Sequence, residues 1–377
     1  MKNKQPDLFA HFITITDPRI DRSKAHRLID IIAIAICAVI AGAEGWVDIA
    51  DFGEAKEEWF RSFLALPNGI PSHDTFGRVF SLLDPRQFQT SFAAWMQSVV
   101  RLTNGQVIAI DGKTHRRTGG ASLRPLHLVS AFATANGVAL GQVTTDKKSN
   151  EITAIPELLK LLDVSGCLIT TDAMGCQADI AADIVARGGN YLLALKGNQG
   201  LLYRDAKALF ADANTADMRI VNTSESSGHN RVEKRICEVL SGTNITTRLR
   251  TNGNWPSLAS VVKVTAERTD KTTGAMSTQT RYYISSLKHP TAEAMQYSVR
   301  AHWGIENNLH WTIDMAFRED DSRIRTDHAP ANMAVLRHIA LNLIRGDTTR
   351  KVGIKASAKK AGWDMRYLER LLGGLAG

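Results

Sequence analysis

Cysteine is scarce in this chain: Cys37, Cys167, Cys176 and Cys237 are the four among 377 residues. No two of them have the Cys-x-x-Cys spacing of a zinc or redox motif, and three stand in apolar or strand-like surroundings. A disulfide scaffold or a cysteine-ligated metal centre is therefore excluded as the basis of the fold. We expect reduced thiols in the core of a cytoplasmic protein.

Long hydrophobic runs are also missing. The most apolar stretch, residues 28–43, is interrupted by Asp30 and stopped by Glu44, short of the roughly 20 residues that span a membrane. Lys2 and Lys4 stand in polar sequence with no apolar region leading to a cleavage site, so we expect no secretory signal. These absences predict no membrane partner and make residues 28–43 a buried helix.

What the chain does contain is the composition of a packed globular protein, with 44% hydrophobic and 22% charged residues and only 10 prolines. Its length allows one large domain with additions, or two to three units. The net charge of +8 favours a polyanionic partner, because Lys and Arg release condensed counterions when they contact phosphates. Charge alone does not separate a DNA-binding protein from other basic proteins.

Residues 21–100 have the pattern of amphipathic helices. Ser72 precedes an apolar face at Phe76, Val79, Phe80 and Leu83, which predicts a capped helix. The basic residues before this helix favour either DNA contact or a solvated surface. We expect a small all-helical N-terminal unit.

The period changes at residue 106. Residues 107–110 predict a buried strand that ends at Asp111, and Asn136-Gly137 predicts a hairpin between strands at 126–134 and 138–143. Helices at 151–162 and 177–187 then alternate with strands at 167–171 and 191–195. This order predicts an α/β fold, a mixed sheet with flanking helices.

Two acidic residues follow strands of this sheet. If the strands at 107–110 and 167–171 lie side by side and parallel, Asp111 and Asp172 become neighbours at their carboxyl ends. Each Asp alone is more typical of a strand-end turn or a helix cap. Together they repel one another unless a proton or cation intervenes, and oxygen ligands without cysteine favour Mg²⁺ or Mn²⁺.

Residues 218–286 alternate in short stretches typical of strands, a β-rich insertion. Helices are predicted after it at 291–317 and 331–344. On the first, i, i+4 spacing places His302, Glu306, His310 and Asp314 on one face. That face is either functional or simply solvated, and no His-Glu-x-x-His zinc motif is present.

Four ordered blocks resemble the H-repeat-associated type of bacterial insertion-sequence transposase, a DDE enzyme. They are Ile-Asp-Gly-Lys-Thr at 110–114, Thr-Asp-Ala-Met-Gly-Cys-Gln at 171–177, Tyr-Leu-Leu-Ala-Leu-Lys-Gly-Asn-Gln at 191–199 and His-Trp-Gly-Ile-Glu-Asn-Asn-Leu-His-Trp at 302–311. Residues 69–76 resemble the helical domain that accompanies it. The resemblance covers nearly the whole chain.

The resemblance implies an RNase H-like catalytic domain, related to retroviral integrases, in which Asp111, Asp172 and Glu306 bind two Mg²⁺ ions, with Mn²⁺ as a substitute. It implies cleavage of DNA at element ends and strand transfer of the 3′-hydroxyl into target DNA, by a homodimer acting on double-stranded DNA at the nucleoid. We expect a helical N-terminal domain at 1–100, catalytic core at 101–217 and 288–346, the insertion at 218–287 and a helical tail at 347–377.

The basic signature that related enzymes carry around the third acid is only partly matched. Its Arg, Tyr and Lys places hold His302, Val299 and Ile313, whereas Tyr297 and Arg300 sit two residues early. Other residues are therefore expected to contact DNA. The candidates are Lys113, Arg116, Lys196, Asn198, Gln199, Arg300, His302, Arg323 and Arg325.

Among the tryptophans, Trp303 and Trp311 are expected to pack in the core, and Trp255 has the better claim to DNA because it stands on a loop. Two other functions share these residues. One is a metal-dependent nuclease that cuts without strand transfer, and the other is an inactive, transposase-derived DNA-binding protein.

Overall fold

The computed structural model describes residues 7–119, 124–145, 151–228, 230–249 and 255–373. Lys2 and Lys4, on which the expectation about a secretory signal rests, lie outside this range. No helix of the described residues is long and apolar enough to cross a membrane.

Helices form the described part of the first hundred residues. They are α1 (Asp7–Ala10), α2 (Leu28–Ile40), α3 (Trp46–Ala55), α4 (Glu57–Arg61), α5 (His73–Leu82) and α6 (Pro85–Val99). The predicted buried helix is α2, whose Asp30 carboxylate accepts a hydrogen bond from the amide of Leu66 at 3.1 Å. The predicted cap of α5 is also present, since the Ser72 hydroxyl accepts from the amide of Thr75 at 3.4 Å.

One sheet of nine strands runs through the described residues, in the order β3-β2-β1-β4-β5-β9-β8-β7-β6. Its first half consists of β1 (Val107–Thr114), β2 (His127–Ala133), β3 (Val138–Thr144), β4 (Leu168–Thr171) and β5 (Asn190–Leu195). The hairpin of β2 and β3 turns at Asn136-Gly137, where Gly137 has a φ of +70°, as predicted. Strands β1, β4 and β5 are parallel neighbours, so the predicted mixed α/β sheet is confirmed.

The prediction that the first strand ends at Asp111 is wrong. Strand β1 continues to Thr114 because residues 111–114 pair with β2, from Asp111 opposite Ser130 to Thr114 opposite His127. Parallel pairing with β4 stops one residue earlier, at Ile110 opposite Thr171. Asp111 therefore lies inside the strand but just past the end of its parallel neighbour.

The β-rich insertion extends the same sheet. It contains β6 (Ile220–Gly228), β7 (Arg231–Ser241), the short helix α10 (Thr243–Thr246), β8 (Ser260–Asp270) and β9 (Met276–Ser285). Strand β9 pairs antiparallel with β5, which joins the insertion to the first half of the sheet. In sequence, helix α7 (Glu151–Lys160) lies between β3 and β4, α8 (Ala178–Ala186) between β4 and β5, and α9 (Gly200–Ala211) between β5 and the insertion.

The remaining helices follow the insertion. They are α11 (Ala292–His302), a π-helical turn (Ile305–His310), α12 (Trp311–Phe317), α13 (Ala329–Gly346), α14 (Ile354–Trp363) and α15 (Met365–Gly373). The regular helix predicted at 291–317 is thus interrupted by the π-turn. Helix α13 is almost wholly buried and packs against α2, α5, α6 and β3, so it joins the N-terminal helices to the sheet.

Candidate active site

Asp111 and Asp172 lie next to each other at the carboxyl-end edge of the parallel strands. Each directly follows the last parallel pair of β1 and β4, Ile110 opposite Thr171. The predicted adjacency of these two strands is therefore confirmed. One carboxylate oxygen of Asp172 accepts from the amides of Met174 and Gly175, at 2.9 and 3.3 Å. Asp172 thus closes its own turn and retains a second oxygen for other partners.

The turn after Asp172 is held by the loop that follows β5. The side-chain amide of Asn198 donates to the carbonyl of Ala173 at 2.7 Å, and that of Gln199 donates to the carbonyl of Cys176 at 3.0 Å. Both residues were expected to contact DNA, whereas here their amides fix the backbone beside an acid. No local sequence pattern signals this role, because the two loops are joined only by the parallel pairing of β4 with β5.

The charges of three other carboxylates act on Asp111. Burial and, after it, the charges of Glu151, Asp172 and Glu306 together raise the pKa of Asp111 to about 7, against an opposing hydrogen bond from the amide of Gly112. Glu151 was not expected here. The carboxylate of Glu151 lies against Gly112 and pairs with His127 Nε2 at 2.9 Å. A Cβ at position 112 would come within 2.6 Å of the same His127 atom, so the site leaves room only for glycine. From sequence, Glu151 has only the pattern of an acid in the first turn of a helix.

The π-turn carries Glu306, whose side chain is exposed. Before the turn, His302 Nδ1 lies 3.0 Å from the hydroxyl of Thr170, and at the end of the turn His310 Nδ1 lies 3.7 Å from a carboxylate oxygen of Asp111. Burial lowers the pKa of His302 to about 4 and that of His310 to about 3. Both imidazoles are thus neutral near pH 7, and His302, expected to contact DNA, faces the sheet instead.

A buried cluster of ion pairs surrounds Lys113 of β1 and Glu319. Lys113 Nζ pairs with Asp314 and, at 2.9 Å, with Glu319, which also lies 3.2 Å from His115 and 3.6 Å from Arg337. Burial alone would raise the pKa of Glu319, but the surrounding cations hold it far below its usual range. Lys113, expected to contact phosphate, has a side chain only 12% exposed and is committed to these pairs.

The other expected DNA contacts are on the surface. Arg116 is 83% exposed and lies 3.5 Å from Asp320, and Arg325 donates to the carbonyl of Arg117 at 2.8 Å. Lys196, Arg300 and Arg323 are exposed. A cleft of about 960 Å³ brings Arg325 together with His127, Glu151 and Met174, beside the turn of Asp172.

An arginine-rich concave face includes Gly304 and Asn307, which are close to Glu306 in sequence. It has a volume of about 540 Å³ and is lined by five arginines and one carboxylate, Glu233. The arginines are Arg231, Arg235, Arg268, Arg281 and Arg300, and we call their surface the arginine face. The guanidinium of Arg281 stacks on Trp303, 4.6 Å from the ring centroid.

The arginine face begins where helix α11 stops covering the sheet. On the inner half of β8 and β9, Val262, Val264 and Tyr283 pack under Met295 and Val299 of α11. Farther out on the same strand faces the side chains become arginines. Of the five arginines only Arg300, on α11, was predicted from sequence, although period-2 spacing on β7 was a signal for Arg231 and Arg235.

The tryptophan expectations are wrong. Trp255 is 7% exposed and packs in the core, whereas Trp303 and Trp311 are 38% and 62% exposed. Trp311 stands on α12 directly after the π-turn, and the sequence pattern did not predict that turn.

The donor chemistry around Asp111 fits a hard divalent cation. Carboxylate oxygens are the ligands that Mg²⁺ prefers, and their mutual repulsion is what raises the pKa of Asp111 beyond the effect of burial. Among the described residues, no group of three or more His, Cys, Asp or Glu side chains is already arranged as a metal site. The fit to the ion lies in the oxygen chemistry of the carboxylates and in the adjacency of Asp111 and Asp172.

Two protein families match this chain in sequence. Residues 9–96 match the family described as DDE_Tnp_1-associated, and residues 103–343 match the family described as a transposase DDE domain. YhhI of Escherichia coli (strain K12), an H repeat-associated protein named as a transposase, is 40% identical across 97% of this chain and 98% of its own length. YncI of E. coli O157:H7, also named as a transposase, is 41% identical across 97% and 94%.

Two further matches are a short relative and a solved structure. YbfQ of E. coli K12, named as an inactive transposase, is 46% identical but covers only 20% of this chain and 88% of its own. A piggyBac transposase structure, a synaptic complex with hairpin DNA, aligns with 97% of this chain and 80% of its own at 11% identity, with a TM-score of 0.45.

Proposed function

The chain belongs to the family of transposases with a DDE domain, and we propose that it cleaves DNA at the ends of an insertion sequence and joins the freed 3′-hydroxyl to target DNA. The observation that carries the proposal is the pairing of β1 with β4, which makes Asp111 and Asp172 neighbours at one sheet edge. The charge of Glu306 acts on the same carboxyl group, that of Asp111.

In this proposal Asp111, Asp172 and Glu306 hold two Mg²⁺ ions, for which Mn²⁺ substitutes. When bound, such ions activate the attacking hydroxyl and stabilise the leaving 3′-oxygen. The protein supplies the arrangement of the ligands. Asn198 fixes the turn of Asp172, and a neutral His310 leaves the charge of Asp111 to the cation.

Double-stranded DNA is the proposed partner, with the arginine face as its main contact surface. This face has four more positive than negative side chains (five arginines, one glutamate) and adjoins the π-turn of Glu306. Exposed Arg116, Lys196, Arg323 and Arg325 extend the basic surface around the acids. Guanidinium groups suit phosphate oxygens because they donate in pairs. We further propose a homodimer, so that two element ends are held together.

The proposed activity is tested with purified protein, Mg²⁺ and duplexes that carry the DNA ends flanking the gene. Wild type is expected to nick these ends and to join a pre-cleaved 3′-end to plasmid, whereas Asp111→Ala, Asp172→Ala and Glu306→Ala do neither while still binding the duplex. Full activity in any one variant would remove that acid from the site.

The same assay separates the two other functions. Nicking without joining of the pre-cleaved end identifies a nuclease. Binding of the duplex with neither reaction, in wild type as in Asp111→Asn, identifies an inactive DNA-binding protein; YbfQ is a relative that is named as an inactive transposase.

A further inference from the structure

The π-turn at Ile305–His310 gives the helix of Glu306 a register that a regular α-helix would not have. A π-helical turn closes over five residues instead of four, so each inserted residue rotates the next helical segment by about 100°. On this helix His302 contacts Thr170 just before the turn, and His310, the last residue of the turn, lies near Asp111. The position of Glu306 therefore depends on keeping a locally unusual backbone.

Arg345, at the end of α13, contacts this turn directly. One terminal nitrogen of its guanidinium donates to the carbonyl of Asn308 and, at 3.1 Å, to the hydroxyl of Thr312. The other donates to the carbonyl of Gly137, at 2.8 Å, in the hairpin between β2 and β3. The guanidinium also lies over the ring of Phe132, 5.8 Å from its centroid.

The chemistry of these contacts is unusual for an arginine. Every oxygen that it binds is neutral, and burial lowers its pKa to about 10, which still leaves it charged near pH 7. Within the part of the chain that the structure describes, no carboxylate forms an ion pair with it. Burying a cation without an anion costs free energy. The hydrogen bonds of Arg345 to the backbone carbonyls that it joins must therefore offset this cost.

We propose that Arg345 is a positioning residue, which holds the π-turn in its register and so fixes Glu306 relative to Asp111. It joins three segments that are distant in sequence: the hairpin next to β1, the π-turn and the end of the buried helix α13. The importance of Arg345 for catalysis rests on the proposed role of Glu306. The effect of Arg345 on the π-turn is independent of that role.

Hydrogen–deuterium exchange tests the structural step in the absence of DNA and metal. In Arg345→Ala, amides of residues 305–312 are expected to exchange at least tenfold faster than in wild type, while those of residues 331–343 in α13 are unchanged. Exchange at 305–312 equal to wild type would overturn the proposal. Because this measurement needs no activity, it remains readable if the proposed transposition chemistry fails.

Single-turnover cleavage tests the catalytic step. Arg345→Ala is expected to lower the cleavage rate about 100-fold and to raise the Mn²⁺ concentration for half-maximal rate several-fold, with duplex affinity within twofold of wild type. A loss of duplex affinity with a normal rate at saturating DNA would mean that Arg345 is a DNA contact, and would overturn the proposal.

A second variant and a control test the proposal even if Arg345→Ala does not fold. Thr312→Val removes one acceptor of the guanidinium and is expected to give the same pattern at smaller size, so wild-type exchange and rate in Thr312→Val would count against the proposal. The matched control is Arg350→Ala. That guanidinium stacks on Tyr367 at 5.3 Å, away from the π-turn, and its removal is expected to leave exchange at 305–312 unchanged.

Discussion

The side-chain amide of Asn198 donates to the carbonyl of Ala173 at 2.7 Å. Through this bond the loop after β5 holds the turn that Asp172 begins, so the strand beside the acid supports its geometry. Its neighbour in sequence, Lys196, is exposed. Two nearby residues thus have different expected roles, one in placing an acid and one in contacting DNA.

Asn198→Ala is expected to lower the single-turnover cleavage rate roughly 10- to 100-fold, because small displacements of a catalytic group are costly. Duplex affinity, measured by fluorescence anisotropy, should stay within about twofold of wild type. Lys196→Ala is the control and should show the opposite pattern. If Asn198→Ala weakened binding and left the rate intact, the DNA contact predicted from sequence would be correct.

Asp111→Asn is expected to stabilise the metal-free protein at pH 8. The pKa of Asp111 is raised to about 7 when folded, so the folded state holds this proton more tightly than the unfolded state. The stability that this group contributes is therefore complete below the unfolded pKa, near 4, and is lost as pH rises through about 7.

A shift of this size corresponds to at most about 4 kcal/mol, and we expect a gain of roughly 1–4 kcal/mol in the free energy of unfolding at pH 8. Urea unfolding at pH 5 and pH 8 measures it, with Asp179→Asn as a surface control. A gain in Asp111→Asn that is no larger at pH 8 than at pH 5 would contradict the raised pKa.

Glu319→Gln is expected to lower the free energy of unfolding by about 3–5 kcal/mol, because it leaves buried Arg337 and Lys113 without their shared anion. Glu57→Gln removes a similar pair with Arg61 on the surface and should cost less than about 1 kcal/mol. Equal losses in the two variants would show that Glu319 is not a buried anchor.

Arg281→Ala is expected to weaken duplex binding and to reduce the salt dependence of log K by up to about 0.9 for each phosphate that the guanidinium neutralises. Lys234→Ala is the matched control, because successive side chains of a strand face opposite ways and Lys234 lies between Glu233 and Arg235. Titrations at several salt concentrations measure both slopes. A larger effect for Lys234 would place the DNA on the opposite face.

Local patterns predicted much of this fold. The Asn136-Gly137 hairpin, the alternation of helices and strands and the adjacency of β1 and β4 follow from period, turn residues and connection rules that act over short distances. The same reasoning placed Asp111 and Asp172 at one edge, because that edge depends only on strand direction.

The features that local patterns missed depend on residues far apart in sequence. The bonds of Lys113 to Asp314 and of Arg345 to Gly137 each join residues about 200 positions apart, and no periodicity encodes such a pair. The π-turn was missed because i, i+4 spacing assumes a regular helix, and Arg345, which donates to the carbonyl of Asn308 in this turn, lies 37 residues farther along the chain. Trp255 was expected on the surface because it stands in a loop. The composition of that loop does not reveal that it packs against the core.

Strand β5 gains its second neighbour only from β9, at the far end of the insertion. During synthesis, which proceeds from the N-terminus, β5 is made long before Met276 and the rest of β9 leave the ribosome. Until then one side of β5 presents unpaired amide and carbonyl groups, the state in which strands pair with the wrong chain. The nascent protein therefore exposes an unpaired edge of β5 throughout the interval between completing β5 and completing β9.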